Sequence, residues 1–204
     1  MEIVEEINKP CIVGFIGDTN TGKTNTLYYL IESYAKNYKF NLYYFGLRED
    51  IKEGHRIYSL EELETIENSL VIIDEFFTLF DLNNSKSKGI IETTLRLIHH
   101  NNNILILAGL PENFKKFISA KLDLIIYKQC KLSDFINQSQ AKTKLTSYRG
   151  YELGNTLLKL PKNKALFFNG TSYKVLDIPY LKHRDTKQHN ESIFKKKSSK
   201  GAKK

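Results

Sequence analysis

Eight consecutive residues, Gly17-Asp18-Thr19-Asn20-Thr21-Gly22-Lys23-Thr24, fit the spacing G-x-x-x-x-G-K-[ST]. That spacing serves phosphate chemistry. The glycines let backbone N–H groups curl around an anion, and a helix starting at the second glycine adds the partial positive charge of its N-terminus. Lys23 is then the side chain that reaches the β- and γ-phosphates of ATP, and the Thr24 hydroxyl is a ligand for the accompanying Mg2+.

A second acidic element lies farther along, where Leu70-Val71-Ile72-Ile73 runs into Asp74-Glu75. Asp74 suits the Mg2+ shell, directly or through water. Glu75 suits the space beside the γ-phosphate, where a carboxylate polarises an attacking water as general base. A kinase must exclude water and has no use for such a glutamate, so the pair argues for hydrolysis.

These groups act only if regular elements hold them. Cys11-Ile-Val-Gly-Phe-Ile reads as a buried strand ending at Gly17, and Leu27, Leu30, Ile31 and Tyr34 follow at helical spacing. Further strands are expected at Phe40–Gly46, Leu70–Ile73, Ile104–Ala108 and Leu124–Tyr127. Ser59-Leu60-Glu61-Glu62 is a capping box opening a short helix to about Ile66. Ile90, Ile91, Thr94, Leu95 and Ile98 mark one helix face, ending at His99-His100. The strands are continuously apolar, as strands covered on both faces require. The alternation of strand and helix gives an α/β class with a mainly parallel sheet flanked by helices. Past Gly150, the runs 157–161, 165–168 and 173–178 read as short antiparallel strands, with Asn169-Gly170 as the strongest turn signal.

The chain has 204 residues and a formal net charge of +8. That length suits one domain with a proper core, or one domain and a tail. The charge is concentrated: from residue 182 to 204, nine lysines and arginines face only Asp185 and Glu191, leaving the rest about neutral. The expected division is a domain over 1–181 and a basic tail over 182–204, the tail being disordered and suited to a salt-dependent grip on phosphates. It equally suits a merely solubilising terminus. No stretch is apolar enough for a transmembrane helix, and the acidic start lacks a secretory layout. Cys11 and Cys130 stand in no metal-ligand spacing and suit a reducing, intracellular setting.

The GDTNTGKT loop between strand and helix, the LVIIDE strand, and the His-rich helix end leading into ILILAGL resemble the HerA–FtsK superfamily of DNA-pumping ATPases. Within it the likeness is to the small genome-packaging ATPases of icosahedral viruses with an internal membrane, over about residues 10 to 180. The resemblance implies a RecA-like, ASCE-type P-loop NTPase fold. It also implies a homo-oligomeric ring that hydrolyses ATP to drive double-stranded DNA into a preformed capsid. The partners would be double-stranded DNA, further copies of the chain, and capsid or vertex proteins, in the host cytoplasm and on the virion.

Rings of this kind place each nucleotide at a subunit boundary, where a neighbour's arginine stabilises transition-state charge. Outside the tail the arginines are Arg48, Arg56, Arg96 and Arg149. Arg96 lies off the apolar stripe of its helix and Arg149 at the exit from the α/β core; these two are the candidates. The strand 104–108 should insert between the two motif strands and aim a polar sensor at the nucleotide. Ala108-Gly109-Leu110 offers none at the usual place, so the sensor is either absent or shifted to Glu112 or Asn113. A DNA-contacting loop is sought over Asp81–Lys88, whose two lysines suit phosphate contacts, though the segment equally suits an idle surface loop. His99 and His100 suit a favourable interaction with the helix dipole better than a metal site. Two other classes compete: an ATP-gated assembly or secretion factor that moves no DNA, and a small nucleotide kinase. Glu75 and the added strand weigh against the kinase.

Overall fold

The computed structural model describes residues 3–38, 40–52, 54–59, 61–79, 85–130, 155–170 and 172–179. The basic tail, Arg149 and residues 81–84 lie outside them. Among the described residues the expected sheet forms with eight strands. They are β1 (Cys11–Ile16), β2 (Asn41–Phe45), β3 (Gly54–Arg56), β4 (Ser69–Ile73), β5 (Ile104–Gly109), β6 (Leu124–Tyr127), β7 (Lys164–Phe168) and β8 (Tyr173–Asp177). Their spatial order is β3-β2-β4-β5-β1-β6-β7-β8. The six from β3 to β6 are parallel, and β7 and β8 continue the sheet antiparallel.

The continuous apolar runs have the cause that the sequence suggested. Successive side chains of a strand point to opposite faces, so a run apolar at every position needs a core on each side. Ile12, Ile16, Val71, Ile73, Leu105 and Leu107 enter one core. Cys11, Val13, Phe15, Leu70, Ile72, Ile104 and Ile106 enter the other. Each fully buried aliphatic or aromatic side chain of this kind contributes roughly 1.5–3 kcal/mol, so the central strands carry much of the stability.

The flanking helices are α1 (Ile3–Glu6), α2 (Lys23–Asn37), α3 (Ser85–His100) and α4 (Lys116–Ser119). Leu27, Leu30, Ile31 and Tyr34 form the buried face of α2, as their spacing predicts. Ile91, Thr94, Leu95 and Ile98 are the buried face of α3. The Tyr34 hydroxyl donates to the Ile7 carbonyl and Lys174 pairs with Glu6, so α1 is tied both to α2 and to the antiparallel extension. Among the described residues no helix is long and apolar enough to cross a membrane.

Three local expectations change. Residues 155–158 are helical rather than extended, because Leu157 and Leu160 are buried one helical turn apart while Leu158 is exposed. The capping-box segment closes only as a 3-10 turn, Glu61–Glu64, with Glu62 Oε1 accepting from the Tyr58 and Ser59 N–H groups. Residues 85–88 belong to the first turn of α3, so the expected loop there is helical at its end. Lys88 pairs with Glu92 across one turn and lies over the Phe117 ring.

Asn103 does more than follow a helix. Buried at 1% exposure, its side chain accepts from Ser69 N–H (3.0 Å) and donates to the Ile66 carbonyl (2.6 Å), while its own carbonyl accepts from Cys11 N–H. It therefore joins the starts of β1, β4 and β5 at the edge opposite the phosphate loop. Satisfying these buried backbone groups avoids the desolvation cost of leaving them unpaired.

Candidate nucleotide site

The site lies at the C-terminal edge of the parallel strands, where β1 gives way to residues 17–22 and then to α2. Asn20 (φ 60°) and Gly22 (φ 88°) are left-handed, and Thr21 Oγ1 donates to the Asp18 carbonyl at 2.8 Å. Alternating handedness of this sort turns successive N–H groups toward one concavity, a nest for an anion. Gly22 needs to be glycine for its dihedral; Gly17 needs it for another reason. Gly17 has no positive φ, but a Cβ there would stand 2.7 Å from the Cβ of Lys128. The loop rests directly on the residues that follow β6, with Lys128 N–H bonded to Ile16 O and Asp18 N–H to Gln129 O.

Lys23 folds over the loop and donates to the Gly17 and Asp18 carbonyls at 2.7 and 2.8 Å. Burial pushes its pKa below the usual lysine range, while Asp74, Asp18, Glu75 and Glu112 favour the charged form. Across from it, Thr24 Oγ1 donates to Asp74 Oδ2 at 2.8 Å. Asp74 is buried at 4% exposure, and burial raises its pKa against the lowering effect of the Thr24 hydrogen bond. The two oxygens fit Mg2+, which takes one or two protein oxygens and completes its shell with water and phosphate. Among the described residues there is no larger His, Cys, Asp and Glu cluster for a metal.

Glu75 is exposed and left-handed at φ 50°, ψ 48°, with its N–H bonded to Asp74 Oδ1 at 3.0 Å. A non-glycine residue held there costs on the order of 1 kcal/mol, and such outliers gather at functional positions. The Thr78 N–H and hydroxyl both donate to the Glu75 carbonyl, holding the turn. Behind it, Gly46 (φ 76°) ends β2 so close that a Cβ would stand 2.1 Å from the Asp74 carbonyl oxygen. Gly46→Ala should therefore lower stability by about 2 kcal/mol or more and displace Asp74. Thermal unfolding, read with the Mg2+ dependence of nucleotide affinity, checks both parts; an unchanged melting temperature would remove the constraint.

Lys23, Thr24, Asp74 and Glu75 thus converge from two strand ends, and β5 lies between those strands as expected. At the end of β5, Glu112 is exposed, and its charge reaches Lys23. Asn113 is half-buried beside it. Arg96 is exposed near the C-terminal end of α3, away from this cluster. Arg56 is engaged elsewhere, paired with Asp50 and stacked over Tyr44. Arg48 follows β2 at the same sheet edge as the phosphate loop. His99 pairs with Asp123 at 3.2 Å, and Asp123 also accepts from Ile12 N–H, a structural role. The residue that the sequence reading missed is Lys128, a single lysine behind an apolar strand, with no motif to flag it.

An inserted strand between the two motif strands, with the loop at one and Asp-Glu at the other, defines the RecA-like P-loop NTPase fold. Solved structures of that fold that resemble the chain include the DNA-packaging ATPase from Sulfolobus turreted icosahedral virus. It is 17% identical with a TM-score of 0.61, over 85% of this chain and 100% of that one. The genome-packaging NTPase of Sulfolobus turreted icosahedral virus 2 in complex with ATP-gammaS is 18% identical with a TM-score of 0.57, over 84% and 98%. The cytoplasmic domain of the Thermomonospora curvata type VII secretion ATPase EccC is 10% identical with a TM-score of 0.56, over 85% of this chain and 24% of that one. No protein-family model matches the sequence, and no curated protein matches it. The motif resemblance is thus accompanied by a shared fold.

Proposed function

We propose that the protein is an ATP-hydrolysing motor that moves double-stranded viral DNA into a preformed capsid. The observation that carries the hydrolytic part is the Thr24–Asp74 hydrogen bond with Glu75 next to it in a held, left-handed turn. Loop N–H groups and Lys23 bind and orient the β- and γ-phosphates. Thr24 and Asp74 would hold Mg2+, which would supply positive charge against that developing on the phosphate oxygens. Glu75 orients a water toward the γ-phosphorus and accepts its proton, while the loop keeps the leaving diphosphate in place.

Support for the DNA-moving part is the near-complete coverage of the virus packaging ATPases, which the chain spans from end to end. In that reading copies of the chain form a ring, and Arg96 or Arg149 reaches a neighbour's nucleotide. Residues 182–204 add a sequence-independent hold on DNA, and capsid or vertex proteins receive the ring. The likeness to the secretion ATPase favours the second reading, a nucleotide-gated assembly or secretion factor.

Steady-state ATP hydrolysis with and without long double-stranded DNA separates them. Turnover should rise at least about threefold with duplex and fall steeply as salt displaces the DNA. Turnover indifferent to duplex at every salt concentration would favour the secretion or assembly reading.

A further inference from the structure

Lys128 follows β6 and is the most deeply buried lysine among the described residues, at 0% exposure. Its side chain runs along the phosphate loop from one motif glycine to the other. The Cβ is 2.7 Å from where a Gly17 Cβ would stand, and Cε and Nζ are 3.9 and 4.0 Å from where a Gly22 Cβ would stand. At the far end Nζ donates to the carbonyls of Lys162 (2.5 Å) and Lys164 (2.7 Å), the turn entering β7. The Lys162 carbonyl is itself 3.4 Å from the Gly22 Cβ position. Among the described residues, no carboxylate is bonded to Nζ.

An ammonium without a counterion in a core is costly, and two carbonyls compensate only part of its hydration. A buried methionine would fill the same volume without that cost. A cation kept there has a use if negative charge arrives nearby, and the loop above it is built for phosphate. We propose that Lys128 is a positioning residue of the nucleotide site, whose ammonium ties the turn before β7 to the phosphate loop and adds a fixed positive charge beneath the bound phosphates. The inference rests on the nucleotide reading of residues 17–24. It makes the antiparallel extension part of the site's framework through the Lys162 and Lys164 carbonyls, and Gln129 Nε2 adds a bond to the Leu158 carbonyl in the helical segment before it.

Burial brings the Lys128 pKa down to about 8. Among the described residues, the charged groups on the elements packed against it are few. On the loop and α2 they are Asp18 and Lys23, the latter also shifted downward by burial. On the β7 side they are the Lys162 side chain, which is exposed, and that of Lys164, which pairs with Asp177 at 3.2 Å. The sign follows: as pH rises through about 8 the cation is lost, and phosphate affinity falls with it. Lys23 contributes a fall of the same sign in any variant that retains it, so a comparison at Lys128 isolates the second cation.

The test is Lys128→Met in the full chain, with binding of a fluorescent ATP analogue followed across pH. At about pH 7 the variant should bind about tenfold more weakly, and by about pH 9.5 the gap to the wild-type protein should close to within about twofold. A purely structural lysine would change the melting temperature without moving this pH profile. Equal affinities at both pH values would overturn the proposal, as would a gap that does not close. Lys128→Gln, which retains a donor but no charge, serves the same comparison if the methionine variant does not fold. Amide hydrogen exchange without nucleotide tests the tie separately: residues 17–23 and 162–164 should exchange about tenfold faster in the variant. If the wild-type chain bound no ATP, the nucleotide reading would fall, and with it the charge beneath the phosphates. The exchange rates would still decide the tie, unchanged rates overturning it.

Discussion

Glu75→Gln should retain ATP binding and lose about two to four orders of magnitude in turnover. Glutamine has the shape of glutamate and hydrogen-bonds water, but cannot take its proton. The substitution leaves the fold alone, because Glu75 is exposed and its structural bonds run through the backbone: N–H to Asp74 Oδ1, and carbonyl from Thr78. Glutamine also meets the same left-handed backbone, so the conformational cost is nearly unchanged. Single-turnover hydrolysis alongside equilibrium binding of ATP separates the two effects. Hydrolysis at the wild-type rate would take the base away from Glu75. Loss in Glu112→Gln in its place would move the base to the end of β5, where a second carboxylate reaches Lys23.

Lys23→Ala should weaken ATP binding by about a hundredfold and reduce turnover at least as much. The ammonium bridges the Gly17 and Asp18 carbonyls and is positioned to exchange those contacts for phosphate oxygens. Stability should move little, within about 1 kcal/mol. Removing a partly desolvated cation offsets the loss of its two hydrogen bonds. Isothermal titration with ATP and thermal unfolding of the same preparations check the pair of effects. Full affinity with Lys23 absent would shift the phosphate contact to the backbone nest alone.

Several features could be read before any coordinates. The loop spacing located the phosphate site, because that chemistry needs particular residue types at fixed intervals along one segment. The apolar runs at 11–16, 70–73, 104–108 and 124–127 announced a doubly covered sheet, because a strand buried on both faces admits no polar positions. The Ile and Leu spacing of α3 likewise predicted its buried face. Where the reading failed, the signals were short. Residues 157–161 carry a pattern that suits either a strand or one helical turn, and the tertiary contacts of Leu157 and Leu160 decided for the turn.

By itself, the sequence determined the class of fold and the identities of Gly22, Lys23, Thr24, Asp74 and Glu75 as candidate chemistry. Local dihedrals, strand burial and ligand chemistry depend on neighbours along the chain. The tertiary structure alone decided what touches what across it. It set Thr24 on Asp74 and Gly46 under the Asp74 carbonyl, and laid Lys128 along the whole phosphate loop. It also turned Asn103 from a helix-end residue into a buried tie between three strands. Those contacts join residues far apart in sequence, and their energies come from burial and packing that no local pattern encodes.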